Sequence, residues 1–357
     1  MGTNKLNFYR DEPLFGLDIG NSSLKVMQLS SDKTKVPKVL GYGVSGFYPA
    51  KCFDDGVIIN KKGIGEAFLD LFDRQLVGSI TTKRVACTVP SSHTFSRPMK
   101  LPAMEKDELS EAVRLEVEQY IPVPIDSLYL DYEISRSSPK EIELLTVAIP
   151  KKVIDSYVGF LQTMGLEPVA LEPTMNALSR LFSLADPSHD QPSVMVDFGS
   201  IATDLAVFDQ SMFVNSTVTA GSDTLVNLIA KRLGLTAEKA RGLKNEKGIN
   251  DKSSEILDII KPILDDLVRE IQKIIRYYNE RSTPAHRTIS QVVLMGGGST
   301  MPGLGPYLSR ALGMPARMLD PWLRLDFGDL PRLDELDRSM YLTVAGEAIL
   351  KPREIFV

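Results

Sequence analysis

The chain has 357 residues, of which 43% are hydrophobic and 24% charged, and a formal net charge of −5. That length favours about two domains of a globular protein over a single core. The acidic balance argues against a nucleic-acid partner, which asks for a basic face; the two cysteines, Cys52 and Cys87, cannot staple a chain of this size; and no run approaches the ~18–20 apolar residues of a membrane span.

Residues 1–12 are polar and carry no apolar signal core. Leu6 stands where a myristoylation signal needs Ser or Thr. The expectation is a cytoplasmic protein that meets a membrane only through partners. Residues 15–19 and 24–29 then read as two strands around a tight turn, followed by strands at 39–47 and 57–59. Residues 62–76 keep helical spacing, with Ile64, Ala67, Phe68, Leu71 and Phe72 on one face. A strand at 84–89 stops at Pro90. Residues 94–171 form a separate βαββαβ-like run. Its helix at 106–119 ends at Pro122 and Pro124, since proline cannot continue the ladder. Strands at 128–134 and 142–149, a helix at 151–164 capped by Gly165, and a strand at 167–171 complete it.

A helix at 173–184 and a proline-bounded linker at 186–192 come next. The opening pattern then returns as a strand at 194–197, a turn, and a strand at 204–208. Helices are expected at 223–233 and 236–244. The longest helical signal covers 254–281, where Pro262 marks a kink or a first turn, and its wide apolar stripe reads as core packing. A strand at 290–294 enters Gly296-Gly297-Gly298, and a helix at 303–311 follows.

The two turns are alike. Asp18-Ile19-Gly20-Asn21-Ser22-Ser23 and Asp197-Phe198-Gly199-Ser200-Ile201-Ala202 each put Asp-x-Gly before a small polar residue, between apolar strands. Glycine lets backbone N–H groups approach a phosphate, Asn21, Ser22 and Ser23 add neutral donors, and Lys25 adds a positive charge. Asp18 can hold magnesium through its water shell. A plain β-hairpin favours the same residue types. The second copy, with Asp197 and Gly199, favours a clamp on one phosphate chain. The 296–298 glycines are neither a Walker loop nor a Rossmann fingerprint, but a strand-to-helix glycine run suits an anion or a nucleotide on bare backbone. The Gly-x-Gly-x-x-Gly match at Gly41, Gly43 and Gly46 leads into no helix and is read as chance. Glu172 ends a strand and Pro173 opens a helix, which puts a carboxylate at the same sheet end. His93, His189 and His286 lack ligand spacing, and no nucleophile elbow occurs.

In order, these pieces resemble the actin-like ATPase superfamily. Asp18 to Lys25 is similar to its first phosphate motif, Glu172-Pro173-Thr174-Met175-Asn176-Ala177-Leu178 to its first connecting segment, Asp197 to Asp204 to its second phosphate motif, and Gly296 to Pro302 to its adenosine motif. Glu238-Lys239-Ala240-Arg241 sits where an adenosine-contacting helix would be. The inserted stretch, with Pro90-Ser91-Ser92-His93-Thr94-Phe95-Ser96-Arg97-Pro98-Met99-Lys100-Leu101-Pro102, Glu111 to Pro124 and Leu130-Asp131-Tyr132, is similar to the PilM family of type IV pilus assembly proteins.

The resemblance implies an α/β fold of two actin-like (ribonuclease H-like) domains facing a nucleotide cleft, with a small α+β subdomain inserted in the first half. Its boundaries are 1–93 for the first part of domain I, 94–171 for the insert, 172–189 for a return to domain I, 190–322 for domain II with a helical subdomain at about 222–288, and 323–357 for a last return. It implies ATP and Mg2+ as cofactors, with Asp18, Glu172 and Asp197 around the metal as candidate catalytic residues and Asp18 and Asp197 as its ligands. Nucleotide contacts would come from Gly20, Asn21, Ser22, Ser23, Lys25, Gly199, Ser200, Gly221, Glu238, Arg241, Gly297, Gly298, Ser299 and Met301. It implies docking of the short cytoplasmic N-terminal peptide of PilN near the insert, contacts with other pilus platform or motor proteins, and a cytoplasmic place peripheral to the inner membrane. Ile201, Ala202 and Ala220-Gly221-Ser222 depart from the superfamily pattern and favour binding with weak or no hydrolysis. A small-molecule kinase of the superfamily and an FtsA-like filament protein are the alternatives; the short, proline-broken end at Pro352 argues against the second.

Overall fold

The computed structural model describes residues 12–30, 36–48, 52–187, 191–250, 255–281 and 288–351. His189, His286 and the residues after 351 lie outside these. Alternating apolar residues build the first hairpin, β1 (Phe15–Ile19) and β2 (Ser23–Leu29), with β3 (Val39–Gly46) beside it. A small hairpin, β4 (Phe53–Asp54) and β5 (Val57–Ile58), precedes α1 (Lys61–Asp70), which Asn60 caps by accepting from the Gly63 N–H. The expected helix to residue 76 stops early: residues Leu71–Gln75 form one wide π-type turn before β6 (Val77–Gly78). β7 (Arg84–Val89) follows. Gly41 and Gly43 lie within β3, where a Cβ would strike Ser79 and Gln75, so these glycines serve strand packing and form no phosphate loop.

The insert contains β8 (Phe95–Pro102), α2 (Lys106–Glu118), β9 (Leu128–Ser137) and β10 (Glu141–Pro150), a three-stranded antiparallel sheet with order β8-β10-β9. Leu109, Val113 and Val117 of α2 bury against it. α3 (Lys151–Thr163) leads back to β11 (Glu167–Pro173), which completes a six-stranded sheet of order β11-β7-β1-β2-β3-β6. α4 (Thr174–Ala185) starts one residue later than expected, with Pro173 as its N-cap.

The second half repeats the opening with β12 (Ser193–Phe198) and β13 (Thr203–Asp209). It adds a strand the sequence reading missed, β14 (Ser211–Val218), turned back by Gln210 at φ 65°. After α5 (Ser222–Leu233), α6 (Ala237–Glu246) and α7 (Glu255–Arg281), β15 (Gln291–Met295), α8 (Leu304–Leu312) and β16 (Ala316–Met318) close a five-stranded sheet of order β14-β13-β12-β15-β16. Pro262 lies inside α7 and not in its first turn. α9 (Glu335–Arg338) and α10 (Leu342–Ala348) end the described chain.

One apolar cluster joins the halves. Met27 and Leu29 of the first sheet and Met195, Phe208 and Val293 of the second meet on Met175, Leu178 and Phe182 of α4 and Leu342, Val344 and Ala345 of α10. The two helices approach so closely that a Cβ at Gly346 would overlap the carbonyl of Ala177. Gly346→Ala is therefore expected to lower unfolding free energy by about 1–3 kcal/mol in a denaturant titration, the usual cost of overpacking; an unchanged midpoint would remove this contact from the account.

Candidate functional site

Strand register lines up the expected residues in two rows. In the first sheet Glu172 pairs with Thr88, Thr88 with Asp18, and Asp18 with Lys25. In the second sheet Met295 pairs with Asp197, Asp197 with Asp204, and Asp204 with Thr217. The two hairpins thus place Asp18 and Asp197 at equivalent positions. What stands opposite differs: a lysine in one, an aspartate in the other.

In the first hairpin the Lys25 Nζ donates to Asp18 Oδ2 at 2.8 Å, and Thr88 Oγ1 donates to Asp18 Oδ1 at 3.2 Å. The Gly20 N–H closes the turn on the Ser23 carbonyl at 3.0 Å. Ser22 is exposed, and Asn21 and Ser23 are half-buried. In the second hairpin no cation among the described residues pairs with the carboxylates. Burial first, then Asp204, then Asp18, push the Asp197 carboxyl up to about 7, with Lys25 partly offsetting them. Asp18 and Lys25 act on Asp197 because the two hairpins face each other. Burial pushes Asp204 up to about 6 against the hydrogen bond that Thr217 donates to it.

The second turn is braced by α5. Ser222 and Asp223 donate their N–H groups to the carbonyls of Gly199 and Ser200, at 2.9 and 2.8 Å. Any side chain at Gly221 would strike Ser200. On α6, Glu238 and Arg241 are exposed, and the Arg241 guanidinium lies 2.9 Å from Asp223 Oδ1. Below them Lys244 is buried, with its ammonium pushed down to about 8, chiefly by desolvation. The sequence reading missed it; a lysine one turn beyond Arg241 on the same face was the available signal.

The glycine cluster differs from expectation. Residues Gly297–Thr300 form a short 3-10 turn, and α8 begins later, so no helix N-terminus opens on the cluster. Gly296, at φ 77°, lets the backbone pass beside the Asp197 carboxylate. Gly297 is exposed, whereas Gly298, Ser299 and Met301 are buried. Gly298 fits under Phe198, the Ser299 hydroxyl donates to the Met295 carbonyl, and Met301 sits in the core.

Glu172 is not a free carboxylate. Arg180 Nη2 meets both its oxygens at 2.7 Å, while Nη1 donates to the Gly346 carbonyl at 2.7 Å. Beside it lies Glu347, fully buried, which the sequence reading also missed. Burial first and Glu172 second hold Glu347 well above the carboxylate range, with Arg180 offsetting part. A neutral Glu347 removes the like-charge repulsion against Glu172. His93 sits away from this set, 3.7 Å from Asp55.

A raised carboxyl in the folded state means that ionised Asp197 costs stability. That cost is absent below about pH 4 and complete above about pH 8. Asp197→Asn lacks it. In denaturant unfolding without nucleotide, the variant is expected to gain on the parent by about 2–3 kcal/mol between pH 5 and pH 8; a gap that stays constant with pH would contradict the electrostatics.

Comparison with known proteins follows the same geometry. The family model for type IV pilus assembly protein PilM matches residues 16–351. A solved PilM-PilN type IV pilus biogenesis complex aligns with a TM-score of 0.79 and 22% identity, over 95% of this chain and 98% of that one. The ethanolamine utilization protein EutJ of Carboxydothermus hydrogenoformans aligns at 0.56 and 15%, over 95% and 90%. MreB5 of Spiroplasma citri bound to ADP aligns at 0.52 and 14%, over 97% and 98%. At these identities the likeness is one of fold, and the fold is that of the actin-like ATPases. Type II secretion system protein L of Xanthomonas campestris pv. campestris is 30% identical over 74 residues, a match covering 20% of this chain and only 19% of that protein. The match along nearly the whole chain, on a fold with two equivalent hairpins, is decisive: the chain belongs to the PilM family of type IV pilus assembly proteins.

Proposed function

We propose that this chain is a nucleotide-binding scaffold of the type IV pilus inner-membrane platform, with Mg-ATP between its two hairpin turns. The observation that carries the reading is the matched pair of rows: Lys25 stands opposite Asp18 in one hairpin and Asp204 opposite Asp197 in the other, with Asp18 and Lys25 near enough to act on Asp197. Lys25 would meet a phosphate oxygen. Gly20, Asn21, Ser22 and Ser23 would line one side of the phosphate chain, and Gly199 and Ser200 the other. Gly297 would offer open backbone to adenosine, with Glu238 and Arg241 across from it. Gly221, Gly298, Ser299 and Met301 would shape this wall from behind.

Among the described residues, no three His, Cys, Asp or Glu side chains gather as a metal site. In this reading Asp18 and Asp197 would hold a magnesium mainly through its water shell. The uncompensated charge of Asp197 and Asp204 is what such an ion would suit. Bound there, magnesium would neutralise phosphate oxygens. Glu172, held by Arg180, is poorly placed to take a proton from water or from a substrate hydroxyl. That favours a slow or inert nucleotide over the kinase alternative. Sedimentation with nucleotide separates the scaffold from an FtsA-like filament.

The partner in this reading is the cytoplasmic N-terminal peptide of PilN, docking near residues 94–171, with other platform or motor proteins around it. Its support is the PilM-PilN complex of the same fold. Among the described residues no helix is long and apolar enough to cross a membrane; the proposed place is cytoplasmic, peripheral to the inner membrane through partners. The reading divides the chain at 1–93, 94–171, 172–189, 190–322 and 323–357.

Mg-ATP at about 100 times its dissociation constant is expected to stabilise the fold by about 2.7 kcal/mol, a rise of a few degrees in a thermal melt. Lys25→Ala is expected to weaken the affinity at least about tenfold, the loss of one charge-assisted contact. Absence of any shift with Mg-ATP counts against the nucleotide. A synthetic PilN N-terminal peptide that leaves fluorescence anisotropy unchanged counts against the partner.

A further inference from the structure

Two sheet edges meet beside the candidate cleft. β8 is the edge of the three-stranded sheet, and β14 is the edge of the five-stranded one. They lie side by side, with a groove of about 510 Å3 between them, closed below by the C-terminal half of α7. Each strand has a partner on one side only, so its outward N–H and C=O groups can serve a further strand. Pro98 shortens the usable length of β8, which leaves β14 as the longer platform.

The groove is also charged against the trend of the molecule. Arg97 lies over the Tyr120 ring at 4.5 Å, and Arg281 over the Tyr277 ring at 4.0 Å. Among the described residues neither guanidinium has an ion-pair partner, whereas Lys273 is held by Glu270 at 3.3 Å. Stacking fixes each guanidinium plane and leaves its N–H edge for a carboxylate. Two uncommitted arginines, Arg97 on the β8 wall and Arg281 on the α7 floor, in a chain of net charge −5, select an anionic occupant.

We propose that the groove between β8 and β14 binds an extended, acidic segment of a partner protein by strand addition to β14. Backbone pairing supplies affinity without regard to sequence, and Arg97 and Arg281 select acidic side chains. The proposal rests on neither the nucleotide nor the PilN reading. It does place an occupant next to both halves of the cleft. Thr217 of the groove donates to Asp204, and Ser91 accepts the Met175 N–H at the start of α4, at 3.2 Å.

The test uses the full chain and two fluorescein-labelled decapeptides, alternating Thr-Glu and alternating Thr-Lys. Anisotropy at low salt should show the Glu peptide binding at least about tenfold more tightly. The Arg97→Glu and Arg281→Glu double variant should reverse that preference while keeping the parent's melting temperature. Amide hydrogen exchange should slow in residues 211–218 when the Glu peptide is added. Equal binding of the two peptides, a preference unchanged in the double variant, or unprotected β14 amides would each overturn the proposal. A failed Mg-ATP melt would leave these outcomes untouched.

Discussion

One opposed pair in each hairpin sets the character of the cleft. Lys25 stands across from Asp18, and Asp204 stands across from Asp197. The backbone is the same in both, so the difference is one of charge. Residues opposed across an antiparallel pair lie about 5 Å apart. At an effective dielectric constant of about 20, two like charges there repel by about 3 kcal/mol, and opposite charges attract by as much. The first hairpin is therefore internally compensated. The second carries a buried carboxylate pair with no lysine opposite it, offset only in part by Lys25 of the first. A bare phosphate chain would be welcome at the first and repelled by the second. In the proposed reading, a cation bound together with the phosphates would satisfy both.

That opposition matters only if the two hairpins stay face to face, and the shared core provides this. α4 and α10 lie between the sheets, and their side chains belong to a single apolar cluster with both. A change in the angle between the halves must repack these helices, and packed cores move between discrete arrangements more readily than they deform. Arg180 ties Glu172 at the sheet end to the Gly346 carbonyl of α10. Glu347 fills the adjoining space, its carboxyl raised by burial and by Glu172. The polar end of the first sheet is thus fastened to the wedge.

Much of this was legible in the residue order. The twin Asp-x-Gly turns, the flanking strands, α2 and α3 of the insert and the long α7 all follow local periodicity and turn chemistry, and the structure has them. β14 was missed because Ser211 to Val218 alternates only weakly, and because its turn depends on Gln210 in a left-handed conformation that glycine usually supplies. The clamp on Glu172 and the burial of Glu347 were hidden for another reason. Arg180 lies two turns into a helix, and Glu347 comes from the far end of the chain, so only tertiary packing brings them together. The glycine run at 296–298 looked like one motif. Phe198 divides it into an open Gly297 and a packed Gly298.

The central claim is the position of the metal–nucleotide complex. Co-crystals grown with Mn-ATP, in which manganese stands for magnesium, test this most directly through the anomalous signal of the metal. The account predicts a peak between the carboxylates of Asp18 and Asp197, with the phosphate chain running from the 20–23 turn to the 199–200 turn. A peak elsewhere, or nucleotide bound away from both hairpins, would contradict it.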